Sequence, residues 1–359
     1  MAAEASATLK DIARQAGVSV MTVSRVLRNQ HNVAATTREK IEEIARRLGY
    51  RPHPLIATLM KLRRSAKPLR LNLSLAYITN FSKRNGWRSS KIYVDFFEGA
   101  SAQARRHGYN LEEFWLREPG MTSHRMSQVL YHRNVPGMII APLPVAQGHL
   151  RLDWNRFAAV AIGYSLARPS LHRAANHQFR SMRMTMRRLR RLGYHRIGLA
   201  LRASYDERVE HHWVGSFLAE QRGFKPDDQV PLLLLKDRDW QITKFAEWYE
   251  QNRPEVVVSQ HEEIVKWLRQ IGARVPNDVG FLHLNCPESI GRFAGINQNN
   301  KAVGATAVDF LVSMIQRNER GVPDVSRSIL VESSWQDGAT LLPRAATDKS
   351  RSRQASVGG

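Results

Sequence analysis

Apolar side chains in the first fifty residues recur at three- and four-residue intervals, and each series is preceded by a residue able to cap a helix. Thr8 stands three residues before Asp11, a variant of the capping box, and opens a helix whose inner face is Ile12, Ala13 and Ala16. Gly17 suits the tight turn that ends it. Ser19 then caps a second helix with Val23, Val26 and Leu27 inward. Thr36 to Glu39 reads as another capping box, starting a third helix with Ile41, Ile44, Ala45 and Leu48 inward. Three short helices around one small core, the second carrying Thr22, Ser24 and Arg25 outward, suit recognition in the major groove of DNA.

Beyond residue 70 the pattern changes to short apolar runs alternating with amphipathic stretches. The runs 73–78, 111–116, 138–143, 160–164, 197–201, 232–235, 256–259, 280–284 and 328–331 predict strands. The stretches 93–107, 181–192, 240–251, 263–271 and 302–317 predict helices. Strands this short and apolar favour parallel sheets covered on both faces, and so many of them favour two sheets in two subdomains. The expected organisation is a small all-α helix-turn-helix domain at 7–51 and a hinge helix with linker at 52–70. An α/β body of two parallel-sheet subdomains follows at 71–343, then a disordered tail at 344–359.

Composition sharpens this picture. The formal net charge is +22, with 14 Lys/Arg against 5 Asp/Glu in residues 1–70 alone, which predicts attraction to polyanions, nucleic acid above all. The single cysteine, Cys286, excludes an intrachain disulfide and a cysteine-based metal site. No export signal and no apolar run of membrane-spanning length is visible, so a cytoplasmic, nucleoid-associated protein with no membrane partner is expected. The run 180–196 holds seven arginines and no acid; a solvated helix face is the first reading and a second nucleic-acid contact the alternative.

The stretch LKDIARQAGVSVMTVSRVLRN followed by TREKIEEIARRLGYRP resembles the N-terminal signature of the lactose-repressor family of transcription regulators, through Pro52. The resemblance implies base contacts from Val20, Met21 and Arg25, and phosphate contacts from Ser19, Thr22, Ser24, Arg28 and Thr37. Val20 and Met21 can meet thymine methyls, and Arg25 can fork onto a guanine edge. Arg28 stands where the family commonly has asparagine. The resemblance further implies a hinge helix that folds on the operator and wedges Leu59, beside Ile56, into the minor groove of a kinked duplex. Here His53 replaces the usual cap and Pro54 a residue with a free amide. The partners implied are a double-stranded, pseudo-palindromic operator and a second copy of the chain.

Fragments of the body, Arg190 to Gly198, Arg274 to Gly280 and Gly295 to Gln298, resemble the periplasmic-binding-protein-like core of the same family. That core implies three crossings between subdomains, expected at 164–169, 290–298 and 323–327, and an effector cleft between them. At positions where sugar-responsive members carry Asp and Asn, the resemblance implies Arg180 for a carboxylate, Gln260-His261 for an Asn-Asp pair and Asn285-Cys286 for a paired Asp, with Arg208 as the retained arginine. Either the effector is a small molecule other than a neutral sugar, or the cleft no longer binds one. An architectural DNA-binding protein without small-molecule control is the competing reading. No phosphate loop, nucleophile elbow or zinc-protease helix occurs, His211 and His212 read as incidental surface residues, and neither an enzyme, a metal nor a cofactor is expected.

Overall fold

The computed structural model describes residues 8–27, 33–48, 73–286 and 292–344, in two units that divide after Leu71. The first unit holds α1 (Leu9–Ala16), α2 (Val20–Val26) and α3 (Ala35–Arg47). Ile12, Ala13, Ala16, Val23, Val26, Ile41, Ile44 and Ala45 close into one buried cluster, as their spacing predicts. The third helix begins earlier than its Thr36 motif suggested. Ala34 is its N-cap and makes no side-chain hydrogen bond, so Thr36 and Thr37 lie within the first turn. Val33, docked on the core just before it, sets the start instead.

The second unit opens with β1 (Leu73–Thr79), α4 (Lys91–Arg106), β2 (Tyr109–Trp115), α5 (Ser123–His132) and β3 (Gly137–Ile140). Next come β4 (Gly148–His149), β5 (Ala158–Ile162), β6 (Leu166–Arg168) and β7 (His172–Asn176). The chain continues through α6 (Gln178–Arg191), β8 (Ile197–Arg202), α7 (Ala203–Glu207), α8 (His212–Gln221), β9 (Leu233–Leu235), α9 (Ile242–Asn252), β10 (Val256–Ser259) and α10 (Glu263–Gln270). It ends with β11 (Gly280–His283), β12 (Ala294–Asn297), α11 (Asn300–Gln316), β13 (Ser328–Val331) and β14 (Ser334–Gln336).

Two six-stranded sheets result, in the orders β13-β7-β5-β3-β1-β2 and β14-β12-β11-β10-β8-β9. All pairings are parallel except β12 with β14. Strand side chains alternate between two cores, which is why the runs read as continuously apolar. In the first sheet Leu75, Tyr77, Ile139 and Val160 meet Val303, Ala307 and Leu311 of α11, while Ala76, Ile78, Met138 and Ile140 meet Met126 and Leu130 of α5. In the second, Ala200, Val257 and Phe281 meet Phe245 and Leu268; Leu199, Val258 and Leu282 meet Met182, Met186 and Phe217.

The body is thus the two-subdomain, periplasmic-binding-protein-like fold. The chain passes between sheets three times, after Asn176, after Asn297 and after Val331. Two of these crossings lie beyond the expected positions. Pro169 marks a turn between β6 and β7, after which the chain returns to the first sheet; Pro323 precedes β13, which still belongs to that sheet. His-Arg-Ala-Ala-Asn of β7 and Ala-Gly-Ile-Asn of β12 carry too few large apolar residues to stand out, and both were absent from the expected strands. The crossings are tied by one side chain. Asn176 Nδ2 lies within hydrogen-bonding distance of Gln298 O (3.1 Å), Val331 O (3.1 Å) and Ser333 Oγ (2.8 Å), touching all three segments.

Helices α4 and α11 meet backbone to backbone. A Cβ on Gly304 would lie 2.0 Å from Phe96 O, and one on Gly99 would lie 1.9 Å from Lys301 O. Neither carbonyl can rotate away without moving its helix. Gly304→Ala is therefore expected to destabilise the body by about 3 kcal/mol, read as a fall in its urea midpoint at unchanged slope.

Candidate nucleic-acid interface and effector cleft

The interface is built by caps. Thr8 N donates to Asp11 Oδ2 (3.0 Å), while Asp11 N donates to Thr8 Oγ1 (3.4 Å), closing the expected capping box. Hydrogen bonds from Thr8 hold the Asp11 carboxyl below the usual range. Gly17 ends α1 at φ +70°, a conformation that favours glycine. Ser19 Oγ accepts from Thr22 N (3.1 Å) and lies 2.9 Å from Thr22 Oγ1. The hydroxyl pair uses one of its two protons, which leaves one for an outside acceptor such as a phosphate.

Burying Val23 and Val26 turns the opposite side of α2 outward. Val20 is 41% and Met21 55% exposed, large values for apolar side chains on a small domain, and Arg25 is exposed one turn further on. Thr22, Ser24 and Thr37 are half-buried and Ser19 is exposed. Arg47 Nη2 donates to Gln15 Oε1 at 2.9 Å, fixing α3 against α1 behind this face. Arg28 and the hinge residues Ile56 and Leu59 lie outside the described residues.

In the body, side chains reach from one subdomain to the other near the carboxyl ends of the parallel strands, where the effector cleft is expected and where open α/β sheets bind ligands. Arg208 bridges it: Nη1 donates to Pro144 O (2.7 Å) and Nη2 to Tyr93 Oη (2.6 Å). Asn285 is buried and its Oδ1 accepts from Asn300 Nδ2 at 3.3 Å. Gln260 is half-buried, and its backbone is hydrogen-bonded to His283. Arg180 is set apart from these three: it is exposed and pairs with Glu332 at 2.7 Å, beside the third crossing.

Two histidines sit at the centre of the second subdomain's half: His261, expected beside Gln260 from the resemblance, and His283, which the sequence did not single out. His261 and His283 are each 4% exposed. His261 packs on Trp240 and Tyr205, with ring centroids 4.6 and 4.7 Å away; His283 stacks on Phe293. Burial pushes both imidazoles down to about 4. Their ring nitrogens accept backbone hydrogen bonds, His261 Nε2 from Arg202 N (3.3 Å) and His283 Nδ1 from Asn285 N (3.1 Å), which only the neutral ring can do. Nearby, Arg202 donates to Glu263 at 2.7 Å, and Trp240 Nε1 donates to the same oxygen at 3.0 Å. Among the described residues, Tyr77 Oη, Gln178 Oε1, Arg202 Nε, His212 Nδ1, Asn300 Oδ1 and Asn318 Oδ1 are buried with no hydrogen-bond partner; Gln178 and Asn300 follow the first two crossings and Arg202 ends β8.

His211 is exposed, as expected, and His212 half-buried, but each ring has a partner. His211 Nδ1 lies 2.9 Å from Oδ2 of the fully buried Asp206, and the His212 ring meets Tyr164 edge-on at 4.9 Å. Adjacent positions point the two rings apart, and each finds its own partner. The arginine run of α6 is taken up within the body: Arg183 and Arg187 pair with Glu220, Arg190 with Asp228, Arg180 with Glu332, and Arg188 lies over Trp335. Its acids come from other segments, which is why the run looked unbalanced. Cys286 is buried and its thiol, pushed up by burial, lies 3.4 Å from Phe293 O. Among the described residues, no cluster of side chains suited to a metal ion occurs and no helix is long and apolar enough to cross a membrane.

The chain thus combines a capped helix-turn-helix, whose second helix exposes Val20, Met21 and Arg25, with a two-subdomain α/β body that follows it in sequence. Residues 8–53 match the model of bacterial regulatory proteins, lacI family. Over 52 residues the chain is 48% identical to the HTH-type transcriptional repressor CytR of Escherichia coli, a stretch covering 14% of this chain and 15% of that protein. It is 50% identical over 46 residues to catabolite control protein A of Staphylococcus aureus, covering 13% of this chain and 14% of that one. The match thus spans about 15% of the length of these curated relatives. In three dimensions the chain is similar to the lac repressor dimer bound to operator and the anti-inducer ONPF, with TM-score 0.54, 19% identity and coverage of 94% and 100%. It is similar to the transcriptional regulator CelR in complex with cellobiose, with TM-score 0.55, 17% identity and coverage of 93% and 99%. These likenesses concern the fold.

Proposed function

We propose that the protein is a transcriptional repressor that binds a pseudo-palindromic operator as a homodimer and answers to a small molecule held in the cleft of its body. The observation that carries the DNA reading is the exposure of Val20, Met21 and Arg25 together on a helix whose other side is locked into the core. Val20 and Met21 read thymine methyls, Arg25 reads a guanine or its phosphate, and Ser19, Thr22, Ser24, Arg28 and Thr37 set the register on phosphates. Leu59, with Ile56, wedges the minor groove at the hinge; a Leu59→Ala protein is expected to bend its operator less in a gel-phasing assay.

The effector reading is supported by the buried, unpartnered polar atoms of Gln178 and Asn300 after the crossings and of Arg202 at the end of β8, which mix donors and acceptors. Arg208, Gln260 and Asn285 belong to that surface, among histidines and aromatic rings rather than paired carboxylates, which favours a ligand other than a neutral sugar. Arg180 stands at its edge. The protein acts in the cytoplasm on the nucleoid and needs no metal or cofactor for this work. The architectural alternative is the less favoured reading, because four of the six arginines of α6 are engaged inside the body, Arg183 and Arg187 by Glu220, Arg190 by Asp228 and Arg180 by Glu332.

Selection from random duplexes by the full-length protein tests the reading. The expected result is one symmetric consensus with T·A pairs opposite Val20 and Met21; enrichment without any consensus would instead support a packaging protein.

A further inference from the structure

Residues 203–211 connect β8 to α8 through a backbone that is costly to hold. Glu210 (φ +53°) and His211 (φ +61°) are consecutive non-glycine residues in the left-handed region. Asp206, fully buried, over-determines this turn. Its Oδ1 accepts from Val214 N (3.1 Å), its Oδ2 lies 2.9 Å from His211 Nδ1, and its carbonyl accepts from His211 N at 2.9 Å. A strained turn fixed by a buried carboxylate is a device for aiming side chains.

What it aims crosses the cleft. Arg208 reaches Pro144 O and Tyr93 Oη, with its guanidinium 5.7 Å from the centre of the Tyr93 ring. Glu210 pairs with Arg173 at 3.4 Å. His212 meets Tyr164 edge-on, and Arg173 in turn lies over the Tyr164 ring at 5.3 Å. Three alternate residues of one short segment in the second subdomain therefore each grip a residue of the first.

We propose that residues 208–212 are a built-in latch, which makes with protein side chains the cross-cleft contacts a bound effector would otherwise supply, so that the body closes without a ligand. The proposal rests on the cleft reading above and specifies its regulation. A small organic anion, offering a carboxylate or phosphoryl oxygen to Arg208, competes with Tyr93 and Pro144 for the guanidinium and releases the latch.

The test is a distance measurement on the full-length protein, with Cys286→Ala as background and spin labels at the exposed positions 131 and 218, one in each subdomain. Without ligand, a single narrow distribution is expected for the parent. Arg208→Ala, which removes both grips, is expected to shift the closed-to-open ratio by about tenfold, as befits a charge-assisted pair of hydrogen bonds. Tyr93→Phe, which removes one acceptor and no packing, gives a smaller shift in the same direction. Melting curves establish that each variant is folded; should Arg208→Ala not fold, Tyr93→Phe decides alone. Identical distributions for parent and folded variants, or an already open parent, overturn the latch. A latch that opens in the variants while no organic acid or phosphate in a calorimetric screen binds the parent leaves the latch standing and removes the effector reading.

Discussion

Met21→Asp is expected to abolish specific DNA binding while leaving the fold intact. The side chain is 55% exposed and takes no part in the buried cluster of the first unit, so nothing is lost from the core. A carboxylate in the first turn of α2 also suits the positive end of the helix. On DNA the same carboxylate meets phosphates and base acceptors across the groove. Like charges brought together at an interface cost several kcal/mol, so affinity for the operator should fall by about a hundredfold or more. Fluorescence anisotropy on a labelled operator reads the loss, and far-ultraviolet circular dichroism and the melting temperature should match the parent. Binding at parental affinity would place the reading face elsewhere than on α2.

The second large effect is acid sensitivity of the body. His261 and His283 titrate at about 4 when folded because burial disfavours the charged ring, against the ordinary 6.5. Between those values the unfolded chain binds more protons than the folded one, so stability rises with pH across the window. Their contribution is complete above about 6.5 and drains away as pH falls toward 4. Each shift corresponds to roughly 3 kcal/mol at the acid end. Geometry adds to the effect, since protonation would turn acceptors of the Arg202 and Asn285 amides into donors facing them. Urea midpoints measured from pH 7.5 to 4.5 should fall steeply, and His261→Gln with His283→Gln should flatten the dependence. A parent protein with a flat profile over that range would contradict the neutral, buried assignment.

How much of this was legible beforehand follows from what sequence patterns encode. The helix-turn-helix is local: Thr8 with Asp11, Gly17 and Ser19 sit beside the elements they punctuate, and the inward series Ile12 to Ala45 needs no distant partner to be recognised. The apolar runs of β1, β5 and β10 are buried on both faces and announce themselves in the same way. The crossings were not legible, because Pro169 and Pro323 mark turns inside one subdomain just as they would mark passages between two. What commits β7 and β13 to the first sheet is their mutual pairing, Ser328 with Arg173 through Val331 with Asn176, some 155 positions apart in the chain.

The cleft was legible only in part. Arg208, Gln260 and Asn285 were expected at it from resemblance, but the work Arg208 does depends on Tyr93 and Pro144, which no local pattern connects to it. His261, just past β10, was placed beside Gln260 by resemblance, whereas His283 ends the apolar strand β11, where a lone histidine gives no signal; Trp240, Tyr205 and Phe293 around them come from three other segments. Likewise the acids that neutralise the arginines of α6 are 33 or more residues away from them, so the run could not be judged by its own composition.

The central claim is that α2 gives this chain sequence-specific affinity for DNA. The most direct measurement is competition between the selected operator and a scrambled duplex of equal length and composition, for the full-length protein at about 0.15 M salt. The account predicts a preference of roughly a thousandfold or more, with both affinities falling as salt rises. Equal affinities for the two duplexes would contradict it.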